Sequence, residues 1–433
     1  MLLIYSPKLT NRLKYIFRLI FRDILGSDVY FTTGAEEFEK FQGVKLSYSH
    51  SPISDEIFFY SKDILYETGI DEQNISVFDY NNYKALFATT TKSALPFDPF
   101  AASFYLVTRY EEYLPFIKDN YDRFEAADSI AFKHGFLQKP LVNIWAEEIR
   151  KIIENKYSGF KFAENKYSYI PTIDIDNAYC YIEKGFVRTS ANIIKDIINL
   201  DFKKALTRTR TLLVLEHDPY DTYDKLLEIQ RKYNLKPIYF FLLADYGLND
   251  KNIDVNSEKF RSLIKKIGDY CEVGIHLSYN SNLIPEKIKT ETQRLTDILL
   301  KETTASRQHF LKLRFPSTYR NLINADITDD YTMGYASECG FRASICTPFN
   351  FYDLDVETET NLKIHPFAFM DSSLKYYKNI DPIEAVEFVL PMINEVKAVK
   401  GTLITIWHNE SLSGTGKWEN WGNVFEEVVK VCL

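Results

Sequence analysis

Four short polar clusters, each near an apolar run, carry residue types suited to metal-assisted hydrolysis. Asp174-Ile175-Asp176-Asn177 follows Tyr169-Ile170-Pro171-Thr172-Ile173. His276-Leu277-Ser278-Tyr279-Asn280 follows Val273-Gly274-Ile275, and His408-Asn409-Glu410 closes Thr402–Trp407. Arg307, Gln308 and His309 sit near a further apolar stretch. On a strand, residues two apart face one side, so Asp174 and Asp176 can address one site. Two carboxylates there need a cation or guanidinium to compensate them, or one must hold a proton. One can then bind a divalent metal while the other acts as base. A capping or solvated Asp pair is the plainer alternative. His276 and Asn280 are four apart, so one helical turn brings both to one side. Imidazole, amide oxygen and carboxylate make a weak shell for a borderline divalent metal, although a satisfied structural histidine explains His276 as well. His408, beside a carboxylate, suits a general acid, or it anchors the last turn by hydrogen bonding.

These clusters need elements that bring them together. From residue 167 onward, strand candidates alternate with helical patterns. The strands are Tyr167–Asp176, Pro237–Ala244, Cys271–Tyr279, Arg307–Leu313, Tyr331–Tyr335, Phe341–Cys346, Leu362–Phe369 and Thr402–His408. The helical patterns include residues 190–213, Thr222–Tyr233, Ser257–Asp269, Pro285–Leu300 and Pro382–Val399. Short apolar strands alternating with longer helices indicate parallel βα units. Runs such as Ile238–Ala244 are apolar throughout, as strands buried on both faces are. The number of units favours a closed or nearly closed α/β barrel, in which catalytic side chains gather at the carboxy-terminal strand ends. Residues 1–155 have a different texture, with short apolar runs and helical patterns, and read as a smaller α/β domain. The segment 155–166, NKYSGFKFAENK, places the boundary, with the barrel over 165–433.

Composition narrows the partners. The chain has 433 residues, 52 basic against 60 acidic, for a net charge of −8. That does not fit a nucleic-acid binder relying on clustered positive charge. Five scattered cysteines without a C-x-x-C argue against disulfides or a thiolate metal site and favour a cytoplasmic chain. No stretch approaches the ~20 apolar residues of a membrane span. Near the amino terminus, Leu13, Ile16, Phe17, Ile20, Phe21 and Ile24 recur at helical spacing, as in an amphipathic helix packed on a core. Thirty Tyr, 32 Phe and four Trp make up 15% of the chain. They predict a large core and, near the clusters, aromatic walls for a ligand.

In the order D-x-D, H-x-x-x-N, Arg, His, the chain resembles the polysaccharide deacetylases, metal-dependent carbohydrate N-deacetylases with a distorted (β/α)7 barrel. The opening motif reads Thr172-Ile173-Asp174-Ile175-Asp176, the second His276-Leu277-Ser278-Tyr279-Asn280, and the last Leu403-Ile404-Thr405-Ile406-Trp407-His408. The resemblance implies Asp174 as catalytic base and His408 as general acid. It implies Arg307 as the arginine that orients the base, with Arg314 second. Asp176 and His276 are the implied ligands of a divalent metal, which family precedent makes Zn²⁺. Asn280 stands where the family has its second histidine, and His309 is the alternative ligand. Asp98-Pro99-Phe100 and Arg109-Tyr110-Glu111-Glu112-Tyr113 resemble an uncharacterised domain that precedes such barrels in some bacterial proteins.

The implied activity is removal of an N-acetyl group from a sugar in a glycan or glycan precursor. Tyr279, His309, Arg342, Trp407, Trp418 and Trp421 are the candidate substrate contacts, with the last two as a stacking wall. The substitution at Asn280 motivates a different class, a catalytically degenerate barrel that binds glycan or scaffolds polysaccharide assembly. A deacylase for a small non-sugar amide is a third option.

Overall fold

A computed structural model describes residues 2–433. Its first part is a four-stranded parallel sheet ordered β2-β1-β3-β4, from β1 (Leu2–Tyr5), β2 (Val29–Thr32), β3 (Val44–Ser49) and β4 (Ile57–Tyr60). The Thr10 hydroxyl accepts from the Leu13 amide at 3.1 Å and starts helix Asn11–Arg18, a capping contact that satisfies a free helical donor. This helix continues as a π-helical turn, Leu19–Ile24. All six apolar positions read at helical spacing are buried, and Phe17 stacks on Phe100 with ring centroids 4.0 Å apart. The amphipathic face is therefore core. A small antiparallel hairpin, β5 (Val77–Tyr80) and β6 (Tyr83–Leu86), and helices Pro99–Val107 and Leu141–Lys156 complete this part. No helix of the described residues is long and apolar enough to cross a membrane.

Residues 157–167 carry neither helix nor strand and lead into a nine-stranded sheet. Its strands are β7 (Ser168–Ile175), β8 (Ile238–Leu242), β9 (Glu272–Leu277), β10 (Ala305–Gln308), β11 (Asp329–Asp330), β12 (Phe349–Asp353), β13 (Thr358–Ile364), β14 (Phe369–Met370) and β15 (Thr402–His408). The order is β12-β13-β11-β10-β9-β8-β7-β15-β14, with every pairing parallel except β12 on β13. This is the expected α/β arrangement of a larger, mostly parallel sheet after a smaller parallel one. The larger sheet is a curled barrel left open between β14 and β12.

Several expected elements differ. The strand expected at Arg307–Leu313 ends at Gln308, because Phe310 and Leu311 both take positive φ, +61° and +53°, which no ladder accommodates. The strands expected at Tyr331–Tyr335 and Phe341–Cys346 are absent. Only Asp329–Asp330 pairs there, and the following residues form a buried irregular segment fastened to the amino-terminal part. Phe341 donates to the Leu137 carbonyl at 2.8 Å and Val142 to the Ser344 carbonyl at 3.0 Å. Gly340, at φ +142°, allows this approach, since a Cβ there would lie 2.5 Å from the Leu137 oxygen. The helix expected over 190–213 is two helices, Phe186–Ile198 and Phe202–Leu212, broken where Leu200 takes φ +58°.

A buried charge network also joins the two parts. Glu112 Oε1 lies 2.8 Å from both Arg109 Nε and Arg342 Nε. Arg342, expected near a substrate, is spent on this pairing and on the Gly334 carbonyl at 3.1 Å.

Candidate metal and catalytic centre

The strands β15, β7, β8, β9 and β10 lie side by side, and their carboxy-terminal ends deliver the polar clusters to one mouth. His408 is in register with Asp174, and His276 with Arg307. Period-two alternation turns both Asp174 and Asp176 inward, and turns both Arg307 and His309 inward. A cavity of about 280 Å³ opens there, lined by Asp174, Asp176, His276, His309 and His408 among others.

Asp176, His276 and His309 offer ligand atoms that all lie within 4.8 Å of one another. Each imidazole is fixed through its Nδ1. That of His276 is 2.9 Å from the Arg307 carbonyl, that of His309 is 2.8 Å from Asp250 Oδ1, and that of His408 is 2.7 Å from Asp371 Oδ1. A carbonyl or carboxylate only accepts, so Nδ1 carries the proton in all three. The Nε2 atoms then converge on Asp176, at 3.2 Å from His276, 3.5 Å from His309 and 3.8 Å from His408. Neutral imidazoles would aim lone pairs at a carboxylate, which needs positive charge between them. Asp176 Oδ1 is buried and has no hydrogen-bond partner; its 3.2 Å approach to His276 is a charge contact without hydrogen-bond geometry. An orphaned carboxylate oxygen facing two anchored imidazoles suits a borderline divalent cation. Histidine ligands held by a carbonyl or carboxylate at the other nitrogen are the usual second layer of such centres. The residues present therefore fit a metal.

The electrostatics of the cluster agree. Burial opposes ionising Asp176, yet the facing His309 and His276 hold its carboxyl well below the usual range. Burial likewise opposes charge on His309, but Asp176 and then Asp250 push it up to about 9. Without a cation, the proton on His309 supplies positive charge beside Asp176. His408 is also raised well above its ordinary value, against burial, chiefly by Asp371.

Known proteins add context. Residues 2–158 match a family of unknown function, DUF7033. No curated protein matches the chain. Among solved structures, a protein from Mycobacterium smegmatis described as a polysaccharide deacetylase is 14% identical, covering 62% of this chain and 86% of that one, with a TM-score of 0.39. A polysaccharide deacetylase from Bacillus cereus is 10% identical over 61% of this chain and 86% of that one, TM-score 0.30. A CE4 family pseudoenzyme from Bacillus anthracis is 12% identical over 62% of each chain, TM-score 0.30. Over about 62% of its length the chain is similar to these solved structures.

At this centre, Arg307 is fully buried. Its Nη1 donates to Asp174 Oδ1 at 2.6 Å and Thr172 Oγ1 at 2.8 Å, its Nε donates to the Tyr331 carbonyl at 3.0 Å, and the Phe240 ring lies 4.5 Å from its carbon. Arg314 instead reaches Asp122, at 3.8 Å. Asn280 opens a 3₁₀ turn, Asn280–Asn282. It is not among the cavity-lining residues, and a Cβ added at Gly247 would lie 3.5 Å from its amide nitrogen. Tyr279 is outside the lining too, packed edge-on against Phe310 at 5.5 Å, which does line it. Trp407, one position before His408, points to the opposite side of β15 and packs on Phe425 at 5.2 Å. Trp418 and Trp421 are 2% and 1% exposed and pack edge to face on each other at 5.8 Å. The loop folds inward, so neither indole offers a face to a sugar. The aromatic residues that do line the cavity are Phe310, Tyr376 and Tyr377.

Two carboxylates were missed by sequence reasoning. Asp250 lies on the loop after β8, with no adjacent apolar run or motif to mark it, whereas Asp371 opens the helical turn directly after β14, at the end of the apolar run Phe367–Met370. The signal for His309 was present in Arg307-x-His309, the same period-two spacing that singled out Asp174 and Asp176.

Proposed function

We propose that the barrel is a metal-dependent hydrolase that removes an N-acetyl group from a sugar in a glycan or glycan precursor. The convergence of Asp176, His276 and His309 between an arginine-held aspartate and an aspartate-held histidine carries this reading. The three would hold a divalent metal, with Zn²⁺ favoured by the imidazole-rich set. When bound, such a metal supplies Lewis acidity toward the amide carbonyl and eases deprotonation of a water.

The chain's own residues do the rest. Asp174 takes the proton of the attacking water through Oδ2, since Oδ1 is engaged by Arg307. Arg307, held by Thr172 and Tyr331, fixes the carboxylate orientation. His408 carries its transferable proton on Nε2 because Nδ1 is tied to Asp371, and it delivers that proton to the departing amine. His309 takes the ligand role that the motif spacing offered to Asn280.

The test is acetate release from N-acetylglucosamine oligomers with added Zn²⁺ or Co²⁺. Loss of release in Asp174→Asn and His408→Ala is expected. Release unchanged in both variants sinks the assignment. Stoichiometric metal and glycan binding without release from any acetylated sugar leaves the non-catalytic binder in its place.

A further inference from the structure

The first two of the three helices between β7 and β8, Phe186–Ile198 and Phe202–Leu212, are built inside out. The side chains they bury are polar: Asp196, Arg208 and Thr211. Arg208 Nε and Nη2 each lie 2.8 Å from Asp196 Oδ2, and its guanidinium sits over the Tyr181 ring at 4.6 Å. The apolar side chains face solvent. Ile198 is 73% exposed, Phe202 62% and Leu213 64%. Of the 28 exposed large hydrophobic residues in the described chain, 11 fall within residues 186–215. A soluble protein rarely leaves a contiguous apolar face of this kind uncovered.

Charge identifies what covers it. Residues 186–216 hold six basic and three acidic residues, in a chain whose net charge is −8. Lys195 and Lys203 are exposed among the apolar positions. An amphipathic helical pair with an apolar face and a basic flank suits the interface of an anionic bilayer. A second copy is disfavoured, since two like-charged hairpins would repel.

Placement adds the orientation. The hairpin leaves the carboxy-terminal end of β7, just beyond Asp174 and Asp176. Arg188 ties it to the loop after β8, lying over the Tyr246 ring at 4.7 Å and donating to the Lys251 carbonyl at 3.1 Å. That loop and the turn after β9 add Leu248 and Leu283, 86% and 56% exposed. Apolar side chains thus rim the same end of the barrel as the metal and catalytic centre.

We propose that this hairpin docks the protein on an anionic lipid surface, with the barrel mouth turned toward the membrane. The lipid contact stands on the hairpin alone. Its consequence rests on the deacetylase reading: the substrate would be a glycan held at a membrane.

The test is co-sedimentation of the full chain with phosphatidylcholine vesicles, with and without phosphatidylglycerol. Binding to the anionic vesicles is expected, weakening as salt rises. Lys195→Ala and Lys203→Ala should each weaken it roughly fivefold. The double variant Ile198→Glu/Phe202→Glu should abolish it while its melting transition stays unchanged, because both side chains are already exposed. Leu300→Glu, an exposed site before β10 at the other strand ends, should bind as the parent does. Failure to bind either vesicle overturns the proposal, as does a stable dimer that the double variant dissociates. The readout needs no catalysis. Vesicle binding without acetate release sinks the deacetylase reading alone, and release without vesicle binding sinks the docking alone.

Discussion

Asp250→Asn separates a metal centre from a cluster of protonated histidines. Asp250 is fully buried, with its Oδ1 2.8 Å from both His309 Nδ1 and the Tyr279 amide. Asparagine keeps the shape and an acceptor oxygen but removes the charge. Replacing a carboxylate behind a metal-bound histidine costs about 10–100-fold in metal affinity, or roughly 1.4–2.7 kcal/mol. A second effect runs the other way. In the metal-free chain, burial disfavours charge on His309, yet Asp176 and Asp250 push it up to about 9. A metal binding at pH 7 must displace that proton, which weakens apparent affinity by about 100-fold, tenfold for each pH unit below the pKa. Wild-type affinity should therefore tighten as pH rises from 7 and level off near 9. In Asp250→Asn the proton is held less firmly, so the competition shrinks. The variant's deficit should be full at alkaline pH and smaller at pH 7. Competition of Zn²⁺ with a chromophoric chelator across this range measures both. An equal deficit at every pH would refute His309 as the proton-linked ligand. No deficit at the alkaline end would refute Asp250 as its support.

Three further outcomes follow from the geometry. His309→Ala should abolish stoichiometric metal uptake, whereas Asn280→His should leave it unchanged, as read by elemental analysis of the purified proteins. Asp371→Asn should bring down the raised His408 titration; because the general acid works protonated, the alkaline limb of the rate profile should move toward neutral pH with the acid limb in place. Glu112→Gln leaves Arg109 and Arg342 buried without their shared partner, which costs about 3–5 kcal/mol and should appear as an earlier denaturant transition with metal uptake unchanged.

Strand-end chemistry was legible wherever a single local period decided it. Asp174 and Asp176 follow from alternation on one strand and His408 from position at the end of another, while Arg307 rests on the family resemblance, since the strand expected there began at Arg307 rather than ending near it. Asn280 drew attention because it completes a four-residue spacing. Yet the chain after β9 closes a 3₁₀ turn, and that turn sets where the side chain goes. His309 needed the opposite knowledge, that the chain breaks sharply after Gln308 through two residues at positive φ, so that an apparent strand interior is a strand end. Asp250 was out of reach because no apolar run adjoins it and its partner, His309, is 59 residues away; the place of Asp371 at a strand end was legible, but its partner His408, 37 residues away, was not. The tryptophans show a different limit. Gly and Asn around Trp418 and Trp421 mark a loop correctly, but a loop rich in indole can bury it by folding inward, and the apolar area gained by burial outweighs exposure. The helices over residues 186–212 invert that lesson. The apolar periodicity of Phe186–Ile198 matches that of the core helix Asn11–Arg18, and a period alone does not say which side faces the protein. Only the buried Asp196–Arg208 pair fixes the direction. It turns a pattern that reads as core into a surface that calls for a lipid.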